Sequence, residues 1–386
     1  MKRAVMLVAG VALVAGMVLG GETLQVGPGK KFDKPSAAIK AAKDGDTVEI
    51  DAAGKYEGDV CFVSANNLTL RGVGEGRARL PAAGKSAGGK AIWVIQGDNA
   101  TVENIEFSGC RVPDGNGAGI RLEGTGLTVR NCKFHDCQDT ILTGKNPKSE
   151  VLIEHSEFSY SGLNTEPVTH NLYVGEIRKL VYRYNYSHHV GEGNALKCRA
   201  LETHVLYSRL SDEADGGASF VIDLPHGGKA YIIGNILQKG PKANNSQFVV
   251  YGREGVKHAE SELHVVNNTF VNDLGKGIFI EINKVKEDFK LVARNNIFAG
   301  KGTVCNWPKA VMEGNSTGDP LFMDAARYDY RLKASSPCID KGVDPGKAGD
   351  LSLAPEFQYV HPVKNEKRPD DGKIDIGAYE RTEAKP

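Results

Sequence analysis

ATVENIEFSGC (100–110) returns as LTVRNCKFHDC (127–137). Both copies alternate apolar and polar positions, reach a Phe, and place a Cys three residues beyond it. Such alternation sends one set of side chains to a core and the other outward, as in a strand. The motif recurs as VLIEHSEF (151–158), LVYRYNYS (180–187), HVLYSRL (204–210), YIIGNIL (231–237), LHVVNNTF (263–270) and LVARNNIF (291–298), with a degenerate earlier copy, LTLRGVGEG (68–76). Successive copies start about 23–33 residues apart, a solenoid period. A second family of strands lies between them: GIRLE (119–123), TILTG (140–144), NLYVG (171–175), ALKCR (195–199), SFVID (219–223), FVVYG (248–252) and GIFIE (277–281).

Each repeat thus supplies at least two short strands in fixed order, with no helix-period segment between them to build a βαβ unit. Stacking the equivalent strands gives an all-β solenoid, a single-stranded parallel β-helix. Its irregular repeat lengths fit a coil with variable loops better than propeller blades or a sandwich. Phe107, Phe134, Phe158, Leu210, Leu237, Phe270 and Phe298 should form one interior column, and Asn235, Asn268 and Asn296 a hydrogen-bonded turn ladder. Cys110 and Cys137 should stack in neighbouring coils, within disulfide reach whether bonded or reduced. A solenoid also needs its ends covered. SAAIKAAKDGDTVEI (36–50) reads as an N-terminal helical cap with Ser36 as N-cap, before regular coils over about 46–302. An irregular C-terminal cap is expected over about 303–386.

The 386 residues carry 48 basic and 48 acidic side chains, a balance that gives no electrostatic case for nucleic acid. At the N-terminus Lys2 and Arg3 precede an apolar run, Val5 to Leu19, and then small residues. This reads as an export signal over residues 1–21, with a membrane anchor as the competing interpretation, and the signal reading leaves a domain at 22–386, periplasmic or secreted, with no membrane span after cleavage. Seven Cys leave at least one unpaired, and none has zinc-site spacing. A monomer is expected.

The opening SAAIKAAKDGDTVEI…GKYEG and the closing DPLFMD…DYRLKASSPCIDKG…DIGAYE resemble secreted pectin-lyase-like right-handed parallel β-helix proteins. The resemblance implies a right-handed coil. It also implies an activity on acidic polysaccharides: β-elimination in many relatives, hydrolysis or epimerisation in others, and none assigned in some.

GNALKCRALETH (193–204) focuses the functional question. Leu196 and Cys198 alternate with Lys197 and Arg199, so one strand face carries two cations. Aligning the second strand family puts Arg121, Leu142, Tyr173, Val221, Val250 and Phe279 in the row of Lys197. The row of Arg199 receives Glu123, Gly144, Gly175, Asp223, Gly252 and Glu281. Asp223 should therefore lie beside Arg199, and Tyr173 beside Lys197, with His170 and Asn171 at the edge.

This patch suits a uronate. β-Elimination requires neutralisation of the carboxylate, removal of the C5 proton and protonation of the leaving oxygen. Arg199 has the planar fork for the first role, Lys197 the amine for the second, and Tyr173 or His170 the proton for the third. Either of the last two is an alternative base. Arg121, Asn171, Asp223, His188 and His189 are candidate substrate-binding residues. The competing interpretation is an ion-pair ladder that only helps the coils stack. No cofactor motif is apparent. Asp212, Glu213 and Asp215 form an acidic turn of the kind Ca²⁺ can use, or one that is simply solvated. Asp223-Leu224-Pro225-His226 faintly resembles the Asp-Pro-His-Asp motif of β-helix mannuronan epimerases, without matching its order. Glu123 and Asp223 lie too far apart for a hydrolase pair.

Overall fold

A computed structural model describes residues 21–163 and 169–381. The expected signal segment lies outside the described residues, apart from Gly21. Three parallel sheets run the length of the molecule. A long sheet has twelve strands, from Thr23–Val26 to Val311–Glu313. A second, which carries the cations and is called the site sheet, has ten, from Cys61–Val63 to Thr303–Cys305. The third has nine, from Ala78–Pro81 to Ile297–Gly300. From Thr69 onward each coil passes from the long sheet to the third and then to the site sheet, so these repeats supply three strands, whereas the first coil runs from Thr47–Asp51 directly to Cys61–Val63. The first motif family is a long-sheet strand followed by a third-sheet strand.

A single left-handed residue makes the corner between those two strands: Asn104, Asn131, His155, Tyr184, Tyr207, Gly234, Asn267 and Asn295 all have positive φ. Asn and Gly tolerate this conformation at low cost. The next residue points inward and forms the expected ladder. Asn235 and Asn268 each donate Nδ2 to the Oδ1 of the next Asn, at 3.0 Å in both cases, reaching Asn268 and Asn296. Backbone amides that the sharp corner would strand in the core are thereby satisfied. The aromatic column also forms. Phe107, Phe134 and Phe158 stack with centroids 5.0 and 5.3 Å apart, and Phe270 stacks on Phe298 at 5.0 Å. Cys110 and Cys137 stack as thiols, with the Cys110 amide 3.4 Å from the Cys137 sulfur.

The N-terminal helix spans Pro35–Ala41 and buries Ala38 and Ile39 against the first strands. Lys34, not Ser36, is its N-cap residue. Pro35 opens the helix because its fixed φ suits the first turn, and the Ser36 hydroxyl instead donates to Asp59 at 2.5 Å.

Residues 303–313 still add strands to the site and long sheets. Beyond them the chain turns back along the flank. Phe322, Tyr330, Leu332, Tyr359, Ile376 and Ala378 pack on Ile236, Val271, Ile297 and Ala299 of the third sheet. Phe357 meets the rings of Tyr184 and Tyr207, which occupy the left-handed corner. Among the described residues no helix is long and apolar enough to cross a membrane.

Candidate functional site

The outer face of the site sheet is organised in columns that follow the coil axis. The middle column reads Val94, Arg121, Leu142, Tyr173, Lys197, Asp223, Val250, Glu281. Leu196 and Cys198 face the core, fully buried, so Lys197 and Arg199 face outward as the alternation requires. Tyr173 precedes Lys197 by one coil, as expected.

Asp223 is displaced from its expected place. It follows Lys197 in the same column, not Arg199. The cause is a bend at the entry to the strand. Val221 and Ile222 are both buried in the core, as are Phe248 with Val249 and Phe279 with Ile280. Two successive inward residues break strict alternation, so Val221 and Phe279, expected outside, lie inside and the outward phase resumes at Asp223. Glu281 moves with it, from the Arg199 row to the Lys197 row.

Around Lys197 the charges converge. Its Nζ is 3.7 Å from Asp223 Oδ2 and 3.2 Å from Glu254 Oε1. Arg199 Nη2 lies 2.8 and 2.7 Å from the two oxygens of Glu254. Arg199 Nη1 donates to the Tyr173 hydroxyl, its guanidinium lies 5.0 Å from the Tyr173 ring centroid, and its Nε donates to His226 Nε2 at 3.4 Å. Both cationic side chains are largely enclosed, at 16% and 13% exposure, while Glu254 is 41% exposed and reaches in from solvent.

Burial opposes the charge of Glu254, but its hydrogen bond to Arg199 and the attraction of Lys197 and Arg199 prevail and bring the carboxyl down to about 2. Asp223 goes the other way. Burial raises it to about 6 against the pull of Lys197, and Glu254 adds to the rise. Asp223 Oδ2 accepts from Asn194 Nδ2 at 3.0 Å, while Oδ1 is buried without a hydrogen-bond partner among the described residues. Burial also raises the Tyr173 phenol, with Arg199 opposing.

His170 is buried at the edge of the cluster, its ring 5.5 Å from that of Tyr173. Its Nδ1 accepts from the Asn194 amide at 3.0 Å, and its own amide donates to Asp139 Oδ1 at 2.8 Å. Burial, with help from Lys197 and Arg199, lowers its pKa to about 3. The ring is therefore neutral with its proton on Nε2, a donor and not a base. Asp139 is 2% exposed, and burial pushes it up to about 7 despite the His170 amide, Arg121 and Lys197.

Other expected residues separate from this cluster. Asn171 is fully buried inside the coil, where it accepts from the Ser161 amide and donates to Ser187 Oγ. A polar residue at this corner pairs groups inside the coil, so Asn171 does not reach the outer face that carries Lys197 and Arg199. His188 and His189 lie on the third sheet and its following turn, not on a loop beside Lys197. Their Nδ1 atoms are 2.6 Å apart, and His188 Nε2 is 3.3 Å from Glu157. Arg121 shares the column of Lys197 three coils earlier, with a buried, unpartnered Nε among the described residues. Glu123 pairs with Lys90 at 2.5 Å. The acidic turn disperses. Asp212 accepts from the Ala218 and Gly240 amides, Glu213 pairs with Arg209, and Asp215 pairs with Lys242.

Asp139, Asn194, His226 and Glu254 complete the cluster and were not picked out from the sequence as site residues. Asp139 and Asn194 had a signal, since they occupy the column of His170 once the coil register is known. Glu254 had none, because it lies in a turn after the strand Gln247–Tyr251 and belongs to no repeat position.

A family model described as a right handed beta helix region matches residues 56–219. Pectate lyase Pel9A superposes with a TM-score of 0.62 at 14% identity, over 94% of this chain and 96% of that one. The chain has a right-handed parallel β-helix fold. A second similar structure is an alginate lyase from Paenibacillus sp. str. FPU-7, at TM-score 0.52 and 15% identity over 77% of this chain and 99% of that one. No curated protein matches.

Proposed function

We propose that the protein is an exported polysaccharide lyase that cleaves a uronate-containing glycan by β-elimination at the cluster around Lys197. The observation that carries this reading is the convergence of two enclosed cations on one carboxylate, beside a phenol. A uronate carboxylate placed where Glu254 now lies would meet Arg199, whose positive charge stabilises the dianionic intermediate formed at C5. Lys197, in the molecules where it is a free amine, takes the C5 proton onto its nitrogen lone pair. The electron pair of the broken C–H bond becomes the C4–C5 double bond, and the C4–oxygen bond breaks. Tyr173, kept protonated by burial, gives its proton to the departing oxygen. His170 is the alternative donor through Nε2. The N-terminal apolar run supports export, and the solved lyases of this fold support a polysaccharide substrate.

One observation favours a second reading, a glycoside hydrolase. Asp223 and Glu254 both lie within 4 Å of one ammonium, and their environments push them in opposite directions, to about 6 and about 2. Such a divided pair is the pattern of an acid and a nucleophile or base. Incubation with a panel of polyuronates separates the two. A lyase yields unsaturated uronate ends that absorb in the ultraviolet, while a hydrolase yields reducing ends without that absorbance. Neither product from any glycan in the panel would leave a non-catalytic binding protein.

A further inference from the structure

Glu254 is held where an external carboxylate would bind. It is the only acceptor that Arg199 and Lys197 share among the described residues, and it is the most exposed member of the cluster. The turn that carries it is fixed. The Gly255 amide donates to the Gly252 carbonyl at 2.9 Å, the Glu254 amide to Pro225 at 3.2 Å, and the Lys257 amide to His226 at 2.9 Å. His258 Nε2 also lies 3.0 Å from the Arg199 carbonyl oxygen. Gly252 has φ 74, and a Cβ there would stand 2.2 Å from the Asn283 carbonyl oxygen. The backbone is thus tied to the neighbouring coil at Pro225 and His226 and, through the His258 ring, to the coil that bears the cations, while the Glu254 side chain has solvent to swing into.

We propose that Glu254 is an internal competitor, a tethered carboxylate that fills the anion subsite of Lys197 and Arg199 and rotates out when a substrate carboxylate enters. The inference rests on the uronate reading for the identity of the ligand, but it concerns the subsite itself. It assigns the subsite to a single planar carboxylate. It also gives the unliganded protein a satisfied pair of cations, which would otherwise stand side by side and largely desolvated. The cost is apparent affinity, because ligand binds only to the fraction of molecules whose subsite is vacated.

The test uses the full mature chain and Glu254→Gln, which keeps the shape of the side chain and removes its charge, with Glu254→Asp as a charge-retaining control. Two probes are titrated: sodium acetate, followed by thermal stabilisation against sodium chloride as a reference, and the polyuronate panel, followed by direct binding and by ultraviolet product. The expected result is that E254Q binds acetate and polyuronate about tenfold more tightly than wild type, or better, while E254D stays near wild type. Acetate affinity unchanged or weaker in E254Q overturns the proposal, even if the wild type makes unsaturated product and the lyase reading stands. Gain of acetate binding without product from either protein supports the competitor and removes the lyase reading. If E254Q is too unstable to purify, the same comparison in Glu254→Ser decides by the same criteria.

Discussion

Two faces of the same coil carry rows of charge, and they are built differently. On the long sheet the outward column reads Glu49, Arg71, Glu103, Arg130, Glu154, Arg183. Signs alternate at every coil, so from Arg71 to Arg183 each ion finds a partner one strand spacing away. Arg71 lies 2.9 Å from Glu103, and Glu154 is 2.6 Å from Arg130 and 2.7 Å from Arg183. On the site sheet two cations sit on one strand, enclosed, with a buried Asp on the next coil and a carboxylate supplied by a turn outside the repeat. Parallel stacking makes the first arrangement at almost no cost, because a strand spacing is also an ion-pair distance. The second runs against that economy. Like charges are adjacent, Asp223 is pushed upward, and polar atoms of Arg121 and Asp223 are unpartnered among the described residues. A ladder stabilises stacking, whereas a cluster that the stacking does not need is where a ligand is expected.

The largest effect expected is on turnover. Lys197→Ala should lower the rate on the active polyuronate by at least about a hundredfold, with the cooperative unfolding transition retained. Full activity in this variant would make the site sheet only another ladder. Arg199→Ala should raise KM as well, because it removes the partner proposed for the substrate carboxylate.

Asp139 sharpens the comparison through pH. Its folded-state value is raised above the ordinary 3.8 to about 7. The protonated form is therefore the favoured one in the fold. The stability this group contributes is complete below its unfolded value and is lost as pH rises through about 7. Asp139→Asn keeps an oxygen for the His170 amide and cannot ionise. It should match wild type near the acid end and exceed it by on the order of 2–4 kcal/mol at mildly alkaline pH. Denaturant titrations at the two pH values check the sign. A constant difference would mean that Asp139 does not titrate in that window.

Smaller effects belong to the ladder. Glu154→Gln leaves two arginines without their shared carboxylate and should cost about 1 kcal/mol, with no change in turnover. Replacing Arg71, half exposed near one end of the column, by Ala should cost less than about 0.5 kcal/mol, and less still at high salt. A loss of activity in either variant would show that the two faces are coupled.

The sequence by itself determined the coil. Equivalent residues one repeat apart must lie one strand spacing apart, so a motif ending in Phe becomes a stack of Phe, and an Asn after a left-handed corner becomes a ladder. Tyr173, Lys197 and Arg199 were legible for the same reason, each on a strand whose alternation is regular. Tertiary structure decided the rest. Whether Val221 or Asp223 faces out depends on a corner where Val221 and Ile222 both turn inward, and alternation within one strand carries no information about that bend. Asn171 reads as an exposed polar residue until the coil closes around it. The two histidines at 188 and 189 lie close to Lys197 in the chain but on another sheet. Glu254 reaches Arg199 across 55 residues from a turn outside the repeat. Only the closed coil brings that turn over the two cations, because the contact depends on how three successive coils stack and not on any local pattern.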